Sequence, residues 1–318
     1  MKKFFFIGFY IFWLSLFLYI FFRLIHPTNS TDTNVEKLSN KPSLNSWTEP
    51  VTQITFNRLP AGCFDMGSPR HEKNRGDDEG PVKNVCLDAF WISTHEITVN
   101  QFQKFVDASG YQTQAETDGF SWTYDGKWKR RNGLSWKNPE FNQTGDHPVI
   151  HLTYLDIMAM ARWLSNLQYQ FTLPTEMQWE YACRGGSSQS RYFGEDIVKT
   201  CAYANIADHT IQQKYQAWTV HPCNDSFTFT APVGSLLPNA FGLYDMLGNV
   251  WEWCLDVYHH QTYLNKHAVL RVSSEWKPVV IRGGSWYSRP EFVRCANRDY
   301  VASCIRRSSD LGFRLVMH

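Results

Sequence analysis

The sequence lacks a surplus of charge of either sign. Lysine and arginine balance aspartate and glutamate to a formal net charge of +1, so no basic field marks it for nucleic acid. It lacks internal repeats. It has no phosphate-cradling P-loop, no dinucleotide-binding glycine fingerprint and no Gly-x-Ser-x-Gly nucleophile elbow, which excludes the commonest nucleotide-dependent and serine-hydrolase chemistries. No two cysteines are spaced Cys-x-x-Cys, so a zinc knuckle has no support. His259-His260 has no third ligand at useful spacing and reads as a solvated loop pair. Long hydrophobic runs are also scarce, with a single exception at the start of the chain.

That exception runs from Phe4 to Phe22 without a charge, preceded by Lys2-Lys3 and followed by Arg23. A bilayer needs roughly 20 apolar residues in a helix. The flanking lysines place the N-terminus in the cytoplasm and the rest of the chain outside. The run is bulky, and no small-residue cleavage site follows it, which favours an uncleaved signal anchor over a removed signal peptide. Residues 1–26 are therefore expected to be a cytoplasmic tip and single-pass transmembrane anchor. Residues 27–50, rich in Asn, Ser, Thr and Pro, read as a flexible tether that cannot bury enough apolar surface to order itself. Residues 51–318 form the folded domain. A bacterial periplasm fits best, and a eukaryotic secretory lumen remains the alternative, with Asn29, Asn142 and Asn224 as glycan acceptors by their triplets. All eight cysteines follow the anchor, and an even number in an exported domain favours disulfides.

Local patterning predicts few regular elements. Thr98 caps a helix with Val99, Phe102, Phe105 and Val106 on one face. Thr153 opens a second through Ile157, Ala161 and Leu164. Thr175 opens a third with Gln178 as its capping-box partner, and Gly185-Gly186 stops it. Strand-like runs cover Gln53–Phe56, Val85–Ile92, Val279–Arg282 and Gly312–Val316. The remainder is long connections, which in compact domains are functional or braced.

Seven stretches in order carry a resemblance: Pro60–Gly67, Asp88–Thr98, Asp146–His151, Leu173–Gly186, Asn239–Trp253, Arg282–Trp286 and Leu311–Arg314. Together the sequence resembles the formylglycine-generating-enzyme, or sulfatase-modifying-factor, family over nearly all of residues 51–318. The resemblance implies an α+β fold, a single compact domain related to C-type lectins with little regular secondary structure. It implies two structural calcium sites. The first falls on Asn205, Ile206, Asp225 and Phe227, the second on Asp245, Gly248, Val250 and Glu252, and such hard oxygen donors suit Ca²⁺. The segment between Ile206 and Asp225 is longer than in typical members. Cys183 and Cys295 match a structural disulfide of the vertebrate enzyme. The vertebrate second bridge, which needs cysteines near Ala161 and at Leu315, is absent. Cys63 and Cys86 flank a strand pair. Cys201 and Cys223 bracket the first calcium segment, closing a loop of about twenty residues worth roughly 3 kcal/mol in the chain-entropy model. Cys254 with Cys304 is the pairing left by elimination.

The family's oxidase holds copper(I) on two cysteines shortly after its Gly-Gly-Ser motif, a task for soft thiolates. Here Ser288 stands at the first of those positions, and no cysteine precedes Cys295 in the second. Copper is therefore not expected. The iron-dependent sulfoxide synthases of the same fold carry an additional helical domain for which this chain has no room. Ser285-Trp-Tyr-Ser-Arg-Pro290 is more similar to copper-cysteine-free members of bacterial envelopes, including one that acts in maturing the siderophore pyoverdine. The equivalent cleft is lined by Trp286, Tyr287, Ser288, Arg289, Arg294 and Arg298, where arginines beside aromatics suit a carboxylate, phosphate or peptide. The opposing reading makes Arg294 and Arg298 structural ion pairs and Trp286 a core residue.

Three functions follow. The first is an extracytoplasmic maturation enzyme that oxidises an exported peptide, protein or small molecule without the copper-cysteine pair. The second is a non-catalytic lectin-like binding module, of which retroelement-diversified receptors with similar motifs are a special case. The third is a formylglycine-generating oxidase with another cysteine arrangement, for example Cys295 with Cys304.

Overall fold

The computed structural model describes residues 46–166, 168–260 and 277–318. The expected anchor, and the tether as far as residue 45, lie outside the described residues. Among the described residues no helix is long and apolar enough to cross a membrane.

The domain begins earlier than its expected start at residue 51. Strand β1 (Ser46–Thr48) pairs antiparallel with β2 (Thr55–Leu59). Between them the Glu49 carboxylate accepts the Val51 and Thr52 backbone N–H groups. That turn puts Gln53 at φ 64°, so the strand expected from Gln53 starts at Thr55. The run Val85–Ile92 divides in two. Strand β4 (Lys83–Leu87) makes a hairpin with β3 (Gly62–Met66), while β5 (Phe90–Ser93) joins β2. A second hairpin pairs β6 (Phe120–Tyr124) with β7 (Trp128–Asn132).

Two sheets organise the core. The first has the order β1-β2-β5-β13-β8, with β8 at Phe171–Thr172 and β13 at Val316–Met317. The second has the order β11-β10-β9-β12, with β9 at Trp251–Val257, β10 at Val279–Arg282, β11 at Arg298–Val301 and β12 at Leu311–Gly312. The run expected as one strand over Gly312–Val316 is thus two short strands in different sheets. The reason is Arg314, whose fully buried guanidinium turns to Glu252 of β9 at 2.7 and 2.8 Å. The chain crosses from sheet to sheet at that ion pair.

The three expected helices form at Val99–Ser109, Tyr154–Leu164 and Glu176–Arg184. Each has a threonine N-cap whose hydroxyl accepts the N3 backbone N–H, and the N3 side chain returns the bond, satisfying donors a helix start leaves open. The third ends at Gly185 in the left-handed conformation. Phe102, Phe105, Ile157, Met160 and Ala161 bury their faces of the first two helices against Phe56, Phe171 and Trp253. The third helix packs Trp179, Ala182 and Cys183 against Met246, Leu247 and Val280.

Candidate functional site

The helix Glu176–Arg184 carries two carboxylates four residues apart, Glu176 and Glu180, both buried. Such spacing puts them on one face. Arg282, at the end of β10, reaches Glu180 at 2.6 Å and Glu176 at 3.3 Å, and donates to the Cys295 carbonyl at 2.7 Å. Arg184 holds the other Glu180 oxygen at 2.7 Å. This charged lattice fixes the chain that leaves β10. The next residue, Gly283, sits at φ 99°, and a Cβ there would lie 3.1 Å from the Trp179 ring, so glycine is required.

Beyond it the turn Ser285–Ser288 presents the expected cleft residues. Trp286 is buried, its indole donating to the Ser309 carbonyl at 3.2 Å, with Phe229 edge-on at 5.2 Å. The Ser288 hydroxyl accepts the Ser285 backbone N–H at 2.8 Å and so serves its own turn. Tyr287 turns outward and stacks on Tyr124 of the β6–β7 hairpin, centroids 4.9 Å apart and planes 7° apart. On one side of Tyr287 a cavity of about 400 Å³ is lined by Tyr124, Trp218, Ser288, Arg289, Phe292 and Asp299 among others. On the other side a cavity of about 250 Å³ is lined by Trp128, Tyr300, Arg306, Ser308 and Asp310 among others, with Tyr287, Trp251 and Asp299 common to both. Asp310 is buried, takes the Ser308 hydroxyl at 2.7 Å and lies beside the Tyr287 phenol. Burial pushes its carboxyl up to about 6, and burial together with Asp310 raises the Tyr287 phenol.

Of the four further cleft candidates, Ser288 and Arg289 line this groove, and Arg289 pairs at its rim with Glu291 at 3.0 Å. Arg294 and Arg298 do not line it. Arg294 is clamped by Glu79 and Glu72, each at 2.6 Å, and Arg298 is held bidentate by Glu176 at 2.6 and 2.9 Å. Both are buried, and a buried guanidinium needs a carboxylate more than a cleft does. Tyr124, Trp128, Trp218, Asp299, Arg306 and Asp310 escaped the sequence reading. The aromatic spacing Trp122, Tyr124, Trp128 was the visible signal for a hairpin with an aromatic face; the acidic residues and Arg306 gave none.

No cysteine lines the groove. Cys183–Cys295, Cys63–Cys86 and Cys201–Cys223 are disulfides. The fourth pairing, Cys254 with Cys304, does not form. Cys304 packs in the core cluster that holds Phe102, Ile157 and Trp253, and Cys254 in the separate cluster around Trp179. Burial, with Glu176 and Asp256 nearby, holds the Cys254 thiol well above its usual value, so it is no thiolate. Cys295 is occupied by its bridge, which removes the Cys295–Cys304 arrangement as a metal-binding pair.

The residues expected to hold cations come together in two adjoining turns. Asp225 accepts the Ile206 N–H at 2.9 Å and the Phe227 N–H at 2.8 Å, and the buried Asn205 Oδ1 has no partner among the described residues. Gly248, at φ 82°, allows the second turn to approach, since a Cβ there would fall 2.2 Å from the Asn205 carbonyl oxygen. Asp245 accepts the Gly234 N–H at 2.7 Å with one oxygen, and its other oxygen takes no donor from the described residues. Both oxygens of Glu96, which sequence reading had passed over, are fully buried and take no donor from the described residues, and its carboxyl lies against that of Asp245. Burial and the charges of Asp245 and Glu252 push its carboxyl far up. Glu252 is committed to Arg314 and to the Trp179 indole at 2.6 Å. Three buried carboxylates around one arginine, with orphaned oxygens in both turns, are a donor set that a hard cation fits.

Two core sheets braced by three capped helices, a pair of turns that a hard cation fits and a groove after a Gly-Gly-Ser turn are the features of a formylglycine-generating-enzyme-like domain. The chain belongs to that family: residues 45–318 match the sulfatase-modifying factor enzyme 1-like domain. The chain is 31% identical to the mouse formylglycine-generating enzyme, covering 91% of this chain and 82% of that protein. It is 32% identical to the formylglycine-generating enzyme of Thermomonospora curvata over 77% of this chain and 86% of that one. It superposes on PvdO from Pseudomonas aeruginosa with a TM-score of 0.69 and 28% identity, covering 86% of this chain and 97% of that chain.

Proposed function

We propose that this protein is a membrane-anchored, extracytoplasmic member of the family that matures an exported substrate in the groove around Tyr287, by oxidation that does not use a copper-thiolate pair. The observation that carries the negative half is the state of position 288: a serine hydroxyl bonded inside its own turn, with the nearest family thiol, Cys295, locked to Cys183. A hydroxyl does not replace a thiolate on copper(I). The positive half rests on the aromatic groove with Tyr287 beside the Asp310 carboxyl, which burial pushes up to about 6, a pairing able to hold and move a proton. A purely binding role is the second reading, favoured by the stacked aromatic lining, which needs no chemistry to hold a ligand.

Full-length protein, folded and supplied with copper, calcium and oxygen, is expected to leave the cysteine of a sulfatase-motif peptide unconverted when the peptide is read by mass spectrometry. Appearance of formylglycine would overturn the assignment. Oxygen consumption with an exported extract as substrate separates maturation from binding alone.

In the same reading the two turns hold structural calcium. Asn205, Asp225 and the Ile206 and Phe227 carbonyls are the first set. Asp245 with Glu96 and the Gly248 and Val250 carbonyls are the second, with Glu252 bracing it through Arg314. Calcium is expected to raise the melting temperature by several degrees over chelator-treated protein, since a ligand at about a hundred times its dissociation constant adds roughly 2.7 kcal/mol. An Asp225→Asn and Asp245→Asn double variant should lose that increment; an unchanged calcium response would remove the assignment.

A further inference from the structure

Arg306 is unlike the buried arginines around the groove. Arg282, Arg294, Arg298 and Arg314 each meet carboxylates within the domain. Arg306, among the described residues, makes no ion pair, and its guanidinium makes no hydrogen bond. It lies between two indoles, 4.6 Å from the Trp122 ring and 5.0 Å from the Trp128 ring, and it lines the cavity of about 250 Å³. Stacked on ring faces, a guanidinium keeps its N–H donors in its own plane, free to meet two acceptors at once. Burial destabilises its charge, and the Asp310 carboxylate, which takes the Ser308 hydroxyl, offsets this from beyond ion-pair distance. Asp299 stands at the rim and accepts the Tyr300 N–H at 2.7 Å. The walls are Trp128, Trp251, Tyr287 and Tyr300.

From this we infer that the cavity beyond Tyr287 is a subsite for an aromatic carboxylate, whose carboxylate is taken end-on by Arg306 and whose ring lies against Trp128 and Tyr287. The shape of the donor fork fits a planar two-oxygen acceptor. The aromatic walls supply apolar area for a ring, and Asp299 sets the orientation by repelling an anion from the rim. This assignment rests on the reading of the groove as a substrate site and names the class of group that site accepts.

The test uses full-length protein and two probes of equal shape, phenylacetate and phenylacetamide, with binding read by ligand-observed NMR and no turnover required. The acid is expected to bind at least about tenfold tighter than the amide, the size of a charge-assisted hydrogen bond. Arg306→Gln should erase that discrimination while the amide binds as before, and Arg306→Lys should restore part of it. Arg306→Gln removes no ion pair of the domain but loses the contacts with the Trp122 and Trp128 rings, so it should stay folded and melt at most a few degrees below the parent. Equal binding of acid and amide by the parent, or discrimination that survives in Arg306→Gln, overturns the carboxylate assignment with the ring site intact. Failure of both probes to bind overturns the groove as a substrate site as well.

Discussion

Replacing Cys183 and Cys295 together by alanine is expected to lower the unfolding free energy by about 5 kcal/mol, a larger loss than any other bridge of this chain gives. The bridge spans 112 residues. In the chain-entropy model a loop of that length removes about 4.8 kcal/mol from the freedom of the unfolded chain. Cys63–Cys86, with a separation of 23, removes about 3.4 kcal/mol by the same relation. The two bridges also differ in place. Cys63 and Cys86 face each other across an exposed hairpin. Cys183 and Cys295 are fully buried and join the end of the Glu176–Arg184 helix to the segment that follows the groove. Urea unfolding of the two double variants, both kept under oxidising conditions, measures the difference. If Cys63→Ala with Cys86→Ala proved the more damaging, the ordering by loop length would be wrong for this protein.

The second large effect is expected at Arg282. Arg282→Met should cost about 3–5 kcal/mol, the cost of breaking a buried ion pair by removing one partner. Its loss strips a donor from Glu180 and Glu176, both buried, and from the Cys295 and Ala296 carbonyls. Arg184 and Arg298 keep those glutamates from being wholly uncompensated, which sets the lower end of the range. Arg282→Lys should recover little, because an ammonium cannot serve two carboxylates and two carbonyls spread around a planar fork. Chemical denaturation of both variants checks this. A loss below about 1 kcal/mol would mean that surrounding waters replace the guanidinium.

Some of the architecture was written in short stretches of chain. Three of the threonine-capped helices were readable because a capping box is a signal four residues long and the apolar faces repeat at helical spacing; the fourth, Gln114–Asp118 behind Thr113, is too short to show such a face. Strand Val279–Arg282 was readable from its β-branched run Val279-Val280-Ile281. The ordered motifs from Pro60 to Arg314 were enough to indicate the family and its disulfide Cys183–Cys295, and the replacement at Ser288 was visible in one position. Strand limits were less legible where a buried polar residue redirected the chain. Glu49 pulled Val51 and Thr52 into a turn, and Arg314 divided what read as one C-terminal strand.

The sequence by itself determined the three longest helices, the family, the cysteines available for bridging and the lack of a thiol pair after Gly283-Gly284, because each depends on residues near one another in the chain; the short helices Gln114–Asp118 and His209–Gln212 were not read from it. Only the tertiary structure decided which arginines serve the site. Arg294 meets Glu72 and Glu79, Arg298 meets Glu176, and Arg282 meets Glu180, all partners more than a hundred residues away. Arg306 differs from them in making no ion pair among the described residues. A buried charge takes whichever opposite charge the packing brings within reach, and that choice is made by the fold as a whole rather than by neighbours along the chain. The same reason hid Glu96 and Asp310, ordinary loop carboxylates in the sequence whose distinction is that the folded core surrounds them.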